Sequence, residues 1–142
     1  MRLAIELDVL GDTRPLWRDW LADAARVLDV EGLPEDRAAA AAELDARGSG
    51  NWRTLLERFA EDRAPVYLRP AAEVSAALRA FQAEGGTMVV VFTDAPAELA
   101  RVALAQLGAT RRIDSVEAGT ATIDADVVVR TREELLQLRR SA

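Results

Sequence analysis

An α/β fold built on a parallel sheet is what this sequence predicts, and three observations carry that reading. Apolar runs at residues 3–8 and 87–92 each end in a polar turn and lead into an amphipathic segment, the alternation expected of parallel strands joined by helices. The chain has 142 residues, a length typical of one domain. Half of its residues are hydrophobic and 30% are charged, which supplies a core and argues against disorder.

Taken in order, residues 3–8 form the first strand and deliver Glu6 and Asp8 to its C-terminal end, where sites are built in such sheets. Leu16, Trp17, Trp20, Leu21, Ala24, Val27 and Leu28 then recur at three- and four-residue spacing, so residues 15–29 are an amphipathic helix with Pro15 in its first turn. Gly32 and Pro34 break it. Residues 34–47 form an alanine-rich second helix ended by Gly48 and Gly50, and Asn51 caps a third that runs to residue 62 with Trp52, Leu55, Leu56 and Phe59 on one face. Residues 65–70 connect to a helix over 71–84, closed by Gly85 and Gly86. The β-branched strand 87–92 comes next, then Thr93 and Asp94, a helix to Leu107, and Gly108. Residues 114–118 and 127–129 read as short strands, and 132–139 as a last helix.

Absences narrow the chemistry. The chain has no Cys and no His, and all 18 basic residues are Arg. Thiol nucleophiles, disulfides, Cys/His zinc sites, serine–histidine triads, Schiff-base lysines and a P-loop lysine are therefore excluded. A net charge of -6 gives a phosphate backbone no basic face to bind, so no nucleic-acid partner is expected. The longest apolar run, residues 88–92, is too short to cross a bilayer, and no signal pattern precedes it; a cytoplasmic protein without membrane association is expected.

The motifs resemble the haloacid dehalogenase (HAD) superfamily. A strand ending in acids spaced by two, the tail Asp12-Thr13-Arg14-Pro15, a helical block, then a strand ending in Thr93-Asp94 and a helix ending Leu107-Gly108 stand in that family's order. The resemblance implies a HAD-like, Rossmannoid parallel sheet, truncated, with an inserted helical cap: residues 1–14 and 66–142 as the core and 15–65 as the cap. With too few residues for the family's usual later strand and helix, the final strand lies beside the first, giving the spatial order 115–118, 87–92, 3–8, 127–129.

The same resemblance implies a phosphoryl-transfer site: Glu6 at the nucleophile position with Asp8 as acid/base, or Asp8 as nucleophile with Leu10 two residues on and no acid/base; Thr93 bonding the phosphoryl group, Asp12 and Asp94 near substrate, and Mg²⁺ held by Asp8 and Glu6 if the protein is active. Four departures weaken it. Glutamate replaces the aspartate nucleophile, and Val9 replaces the motif glycine. No lysine exists, leaving Arg111, Arg112 or Arg130 as substitutes. The later metal acids are missing, with only Asp124 and Asp126 nearby. The expectation is a degenerate HAD-like protein acting as a binding or regulatory module on a small phosphorylated ligand or a protein partner; the alternative is a weak Mg²⁺-dependent phosphohydrolase. Thr93 and Asp94 also suit helix capping, Asp12 suits a turn, and the three tryptophans suit mutual packing or, if exposed, partner recognition.

Overall fold

A computed structural model describes residues 1–141. Strands β1 (Arg2–Glu6), β2 (Met88–Thr93), β3 (Ser115–Ala118) and β4 (Val127–Val129) form one parallel sheet in the order β3-β2-β1-β4, the order expected from the sequence. Leu3 pairs with Val89 on one side and Val127 on the other, and Phe92 pairs with Glu117. β1 is therefore an interior strand, and Leu3, Ala4 and Ile5 have no exposed surface. Burial of successive residues means that both faces are covered, as a parallel sheet requires.

Among the described residues, seven α-helices accompany it. α1 (Leu7–Leu10) succeeds β1 directly; α2 (Arg14–Val27), α3 (Arg37–Ala46) and α4 (Trp52–Tyr67) make up the inserted block; α5 (Ala72–Ala83) precedes β2; α6 (Ala97–Gln106) comes after it; and α7 (Arg132–Ser141) is the last. Several boundaries differ from expectation: α2 ends at Val27 and α3 starts only at Arg37, and two further shifts bear on the site and the core. β1 stops at Glu6, and Asp8 stands in the turn of helix α1, whose end is closed by the Gly11 N–H donating to the Leu7 carbonyl. The α4 helix runs through Pro65 to Tyr67, because the buried Ala60, Ala64 and Leu68 hold that segment against the core despite the missing donor. Asn51 is at the N-cap position but its side chain makes no capping bond.

One hydrophobic cluster joins the sheet residues Leu3, Ile5, Val89 and Val91 to the inserted helices. At its centre Trp17 and Trp20 lie 5.1 Å apart and Trp20 and Trp52 lie 5.9 Å apart between ring centroids. All three are 2–3% exposed, so they are core and no tryptophan face is free for a partner. Trp52 Nε1 donates to Asp45, which also ties α3 to α4. Gly11 packs closely on the end of α6: a Cβ there would stand 2.8 Å from both Leu107 methyl carbons, so that side chain would have to shift.

The opposite face of the sheet is covered differently. β3 and β4 lie on opposite edges, and residues 119–126 cross between them without a helix. This strap is pinned by the Gly119 and Thr120 N–H groups donating to the Ala95 and Thr93 carbonyls, and by Asp126 Oδ2 accepting from the Arg2 N–H. Arg130 donates to the strap carbonyl of Ala121 while its guanidinium sits 5.2 Å from the Phe92 ring centroid. On the same face Arg2 and Glu117 pair at 3.1 Å across β2. Long side chains and a strap thus shield Val90 and Phe92.

Removing the central indole leaves a cavity that the neighbouring rings cannot fill. Trp20→Ala is expected to lower stability by about 3–5 kcal/mol in urea denaturation; a loss below about 1 kcal/mol would show that the cluster is not a packed core.

Candidate functional site

The carboxyl ends of β1 and β2 meet beneath α3. Each strand end delivers an acid: Asp8 just past β1, and Asp94 just past β2. Between them sits the guanidinium of Arg37, the first residue of α3 and only 5% exposed. Arg37 Nε donates to Asp94 Oδ1 at 2.7 Å, and the Arg37 backbone N–H donates to Asp94 Oδ2 at 3.2 Å. Nη2 donates to Asp8 Oδ2 at 2.9 Å, and Nη1 donates to Thr13 Oγ1 at 2.6 Å. Thr13, fully buried, donates its own hydroxyl proton to Asp8 Oδ1 at 2.6 Å and adds its backbone N–H at 2.9 Å. Both oxygens of Asp8 and both of Asp94 are engaged, and the network draws on three separated segments of chain. Charge-assisted bonds of this kind are what allow a guanidinium to be buried.

Glu6 differs from its neighbours. Its side chain is 32% exposed, and its nearest cation is Arg130 at 3.5 Å. Partial burial pushes its carboxyl above the ordinary value of 4.5, and the negative charge of Asp8 adds to the effect against the opposing pull of Arg130. Asp12 accepts from the Arg14 N–H, Nε and Nη2, so it organises the turn into α2 and its carboxyl is held below the usual range by that arginine. Thr93 is 1% exposed, and its hydroxyl accepts the Ala95 N–H at 3.1 Å, closing the turn before α6. The N-cap of α6 is Pro96, without a side-chain bond, so Asp94 caps nothing and is free to hold Arg37.

These groups line an open cleft of about 750 Å³. Glu6, Asp8, Arg37, Thr93 and Asp94 form its charged floor; Trp17, Leu21, Leu33 and Pro34 supply an apolar wall; Arg14 and Arg18 stand at its margin. The residues singled out from the sequence, Glu6, Asp8, Asp12, Thr93 and Asp94, all reach this one cleft. What the sequence reading missed is its cation. Arg112 pairs with Gln82, and the turn 110–112 that carries Arg111 precedes β3, at the end of the sheet away from the cleft. Arg130 reaches only Glu6 among the cleft acids. Arg37 takes the central place, and nothing in its alanine-rich surroundings signalled a partner 57 residues away.

HAD-type chemistry implies Mg²⁺, and the donor set here does not fit it. The candidate ligand Asp8 already accepts three bonds from Thr13 and Arg37, and Glu6 leans towards Arg130. β4 ends beside β1 but delivers Arg130 and Arg132 there, the latter donating to the Val9 and Leu10 carbonyls at 3.3 and 3.4 Å. Asp126 lies at the amino end of β4, bonded to Arg2, on the wrong side of the sheet. Among the described residues no group of three or more acids gathers where it could hold a metal. Nor is any described helix long and apolar enough to cross a membrane.

Comparison with known proteins places the architecture. No protein-family model matches the chain, and no curated protein matches it. Its fold is similar to a solved structure assigned as a beta-phosphoglucomutase from Thermotoga maritima, with a TM-score of 0.50 and 16% identity over 87% of this chain. The fold is HAD-like. The chain spans 63% of that protein's length, and a likeness at this identity speaks to the fold alone.

Two outcomes test the site. Removing the buried cation leaves Asp8 and Asp94 uncompensated, so Arg37→Met is expected to lower stability by about 3–5 kcal/mol in chemical denaturation. For Glu6, a raised folded-state pKa means that the ionised side chain opposes folding, and that this opposition vanishes as pH falls to 4.5 and below. Glu6→Gln is therefore expected to melt above the native chain at pH 7, with the gap closing on acidification; a gap independent of pH would remove the electrostatic explanation.

Proposed function

We propose that this protein is a HAD-like binding module without effective phosphatase turnover, its ligand a small molecule seated in the 750 Å³ cleft under a cap formed by residues 15–65. The observation that carries the reading is the engagement of Asp8. A carboxylate that accepts three bonds from Thr13 and Arg37, two at Oδ1 and one at Oδ2, keeps only one acceptor position, on Oδ2, for proton exchange with water or a leaving group. The acid/base role inferred from the resemblance is thereby hindered, and the unsuited metal donors point the same way.

The cleft remains suited to recognition. It pairs a charged floor with the apolar side chains of Leu21, Leu33 and Pro34, the mixture that small-molecule sites use for orientation and burial. A small phosphorylated ligand is the occupant proposed first. Arg18, exposed at the margin and without an acid partner among the described residues, would meet its anionic group. The competing reading, a weak Mg²⁺-dependent phosphohydrolase, draws on Glu6: its carboxylate has one long ion pair, faces the cleft and stands at the strand position of a nucleophile. Activity of that kind would require Arg37 to release Asp8.

The readings separate in one assay. Incubated with Mg²⁺ and a generic phosphomonoester, the native chain is expected to release no phosphate above background. Turnover abolished by either Glu6→Gln or Asp8→Asn would overturn the non-catalytic reading.

A further inference from the structure

We infer that Arg37 is the resident cation of this cleft, its guanidinium holding Asp8 and Asp94 together and thereby closing the site to divalent metal ions. Three features lead there. The guanidinium presents Nε and Nη2 to two carboxylates that arrive from different strands, so it bridges them as a bound ion would. It is 5% exposed and covalently part of the chain, so it needs no recruitment from solution and is not diluted away. Its remaining nitrogen, Nη1, engages the Thr13 hydroxyl, which in turn donates to Asp8; each oxygen of Asp8 thus already accepts a bond without a metal.

The supply of this cation from α3 is also built into the backbone. Asp36 caps the helix by accepting the Ala39 N–H, and the next donor in line, the Arg37 N–H, is aimed at Asp94 Oδ2. The helix start and the side chain therefore act on the same acid. Two carboxylates against one guanidinium leave an excess negative charge, so the cleft's attraction for cations persists, and exclusion rests on occupancy. Deleting the guanidinium thus converts a self-satisfied cluster into one that draws a cation from solution. This deepens the reading of the cleft as non-catalytic and rests on it only for the engagement of Asp8.

The test compares native protein with Arg37→Ala by thermal melting and calorimetric titration, using MgCl₂, MnCl₂ and methylguanidinium chloride as probes and NaCl at matched ionic strength as control. Arg37→Ala is expected to melt below the native chain. Methylguanidinium and millimolar Mg²⁺ or Mn²⁺ are each expected to raise its midpoint while leaving the native one unmoved. Its metal affinity should exceed the native chain's by at least about tenfold, since loss of a competing charge changes the balance by that much or more. Adding Asp94→Asn to the variant should abolish the gain. Equal metal responses in native and variant protein, or no response in either, would overturn the inference. Should Arg37→Ala not fold, Arg37→Lys keeps the charge and loses the fork; metal binding tighter than native supports the inference, and a native-like absence of metal binding together with native stability overturns the bridging role. Metal-free phosphate release by the native chain would remove the functional reading and leave this one standing.

Discussion

A single buried guanidinium ties together the turns at the carboxyl end of the sheet. Arg37 comes from the inserted helices, Asp8 and Thr13 from the turn after β1, and Asp94 from the turn after β2; no two of these segments are held in this arrangement by local structure. An uncompensated charge at such burial is strongly unfavourable, so the network is close to all-or-none. Beside the hydrophobic cluster it anchors the start of α3 over the sheet, and it engages Asp8 and Asp94, two of the groups that the motif order would assign to chemistry. Structural cohesion and the engagement of both acids are here two consequences of the same set of bonds.

The sheet explains why β4 brings arginine rather than acid to the site. Because β4 pairs directly with β1, its carboxyl end falls beside Glu6, and the next residues along the chain are Arg130, Thr131 and Arg132. Thr131 and Glu134 form a reciprocal capping pair that starts α7 at that point, and Arg132 turns back to the carbonyls that end α1. The position that could have supplied metal acids is instead used to terminate one helix and begin another. On the far face, the strap of residues 119–126 is short enough to connect the two sheet edges and too short to include a helix, so Arg2 and Arg130 lie over the strand residues in its place.

The fold was legible where periodicity and punctuation speak. The β-branched run around Val90, the three- and four-residue spacing of Leu16, Trp17 and Trp20, and the glycines after each helix led to the observed elements within a few residues. Strand order could be inferred from the short stretch of chain before Val127. The end of β1 was not legible: Leu7 and Val9 fit an extended alternation as readily as the helical turn they adopt, in which Leu7, Val9 and Leu10 are all buried. Pro65 misled in the same way, since its local cost is outweighed by the burial of Ala60, Ala64 and Leu68 around it.

By itself the sequence determined the parallel α/β class, the convergence of Glu6, Asp8, Thr93 and Asp94 on one end of the sheet, and the kinds of chemistry that a chain without Cys, His or Lys forgoes. Those properties depend on composition and on spacing along the chain. The tertiary structure decided which of those acids remain free. That choice was made by Arg37, an arginine in an alanine-rich helix distinguished by nothing in its neighbours, because pairing between charges remote in sequence depends on where packing brings them and not on the order in which they are written.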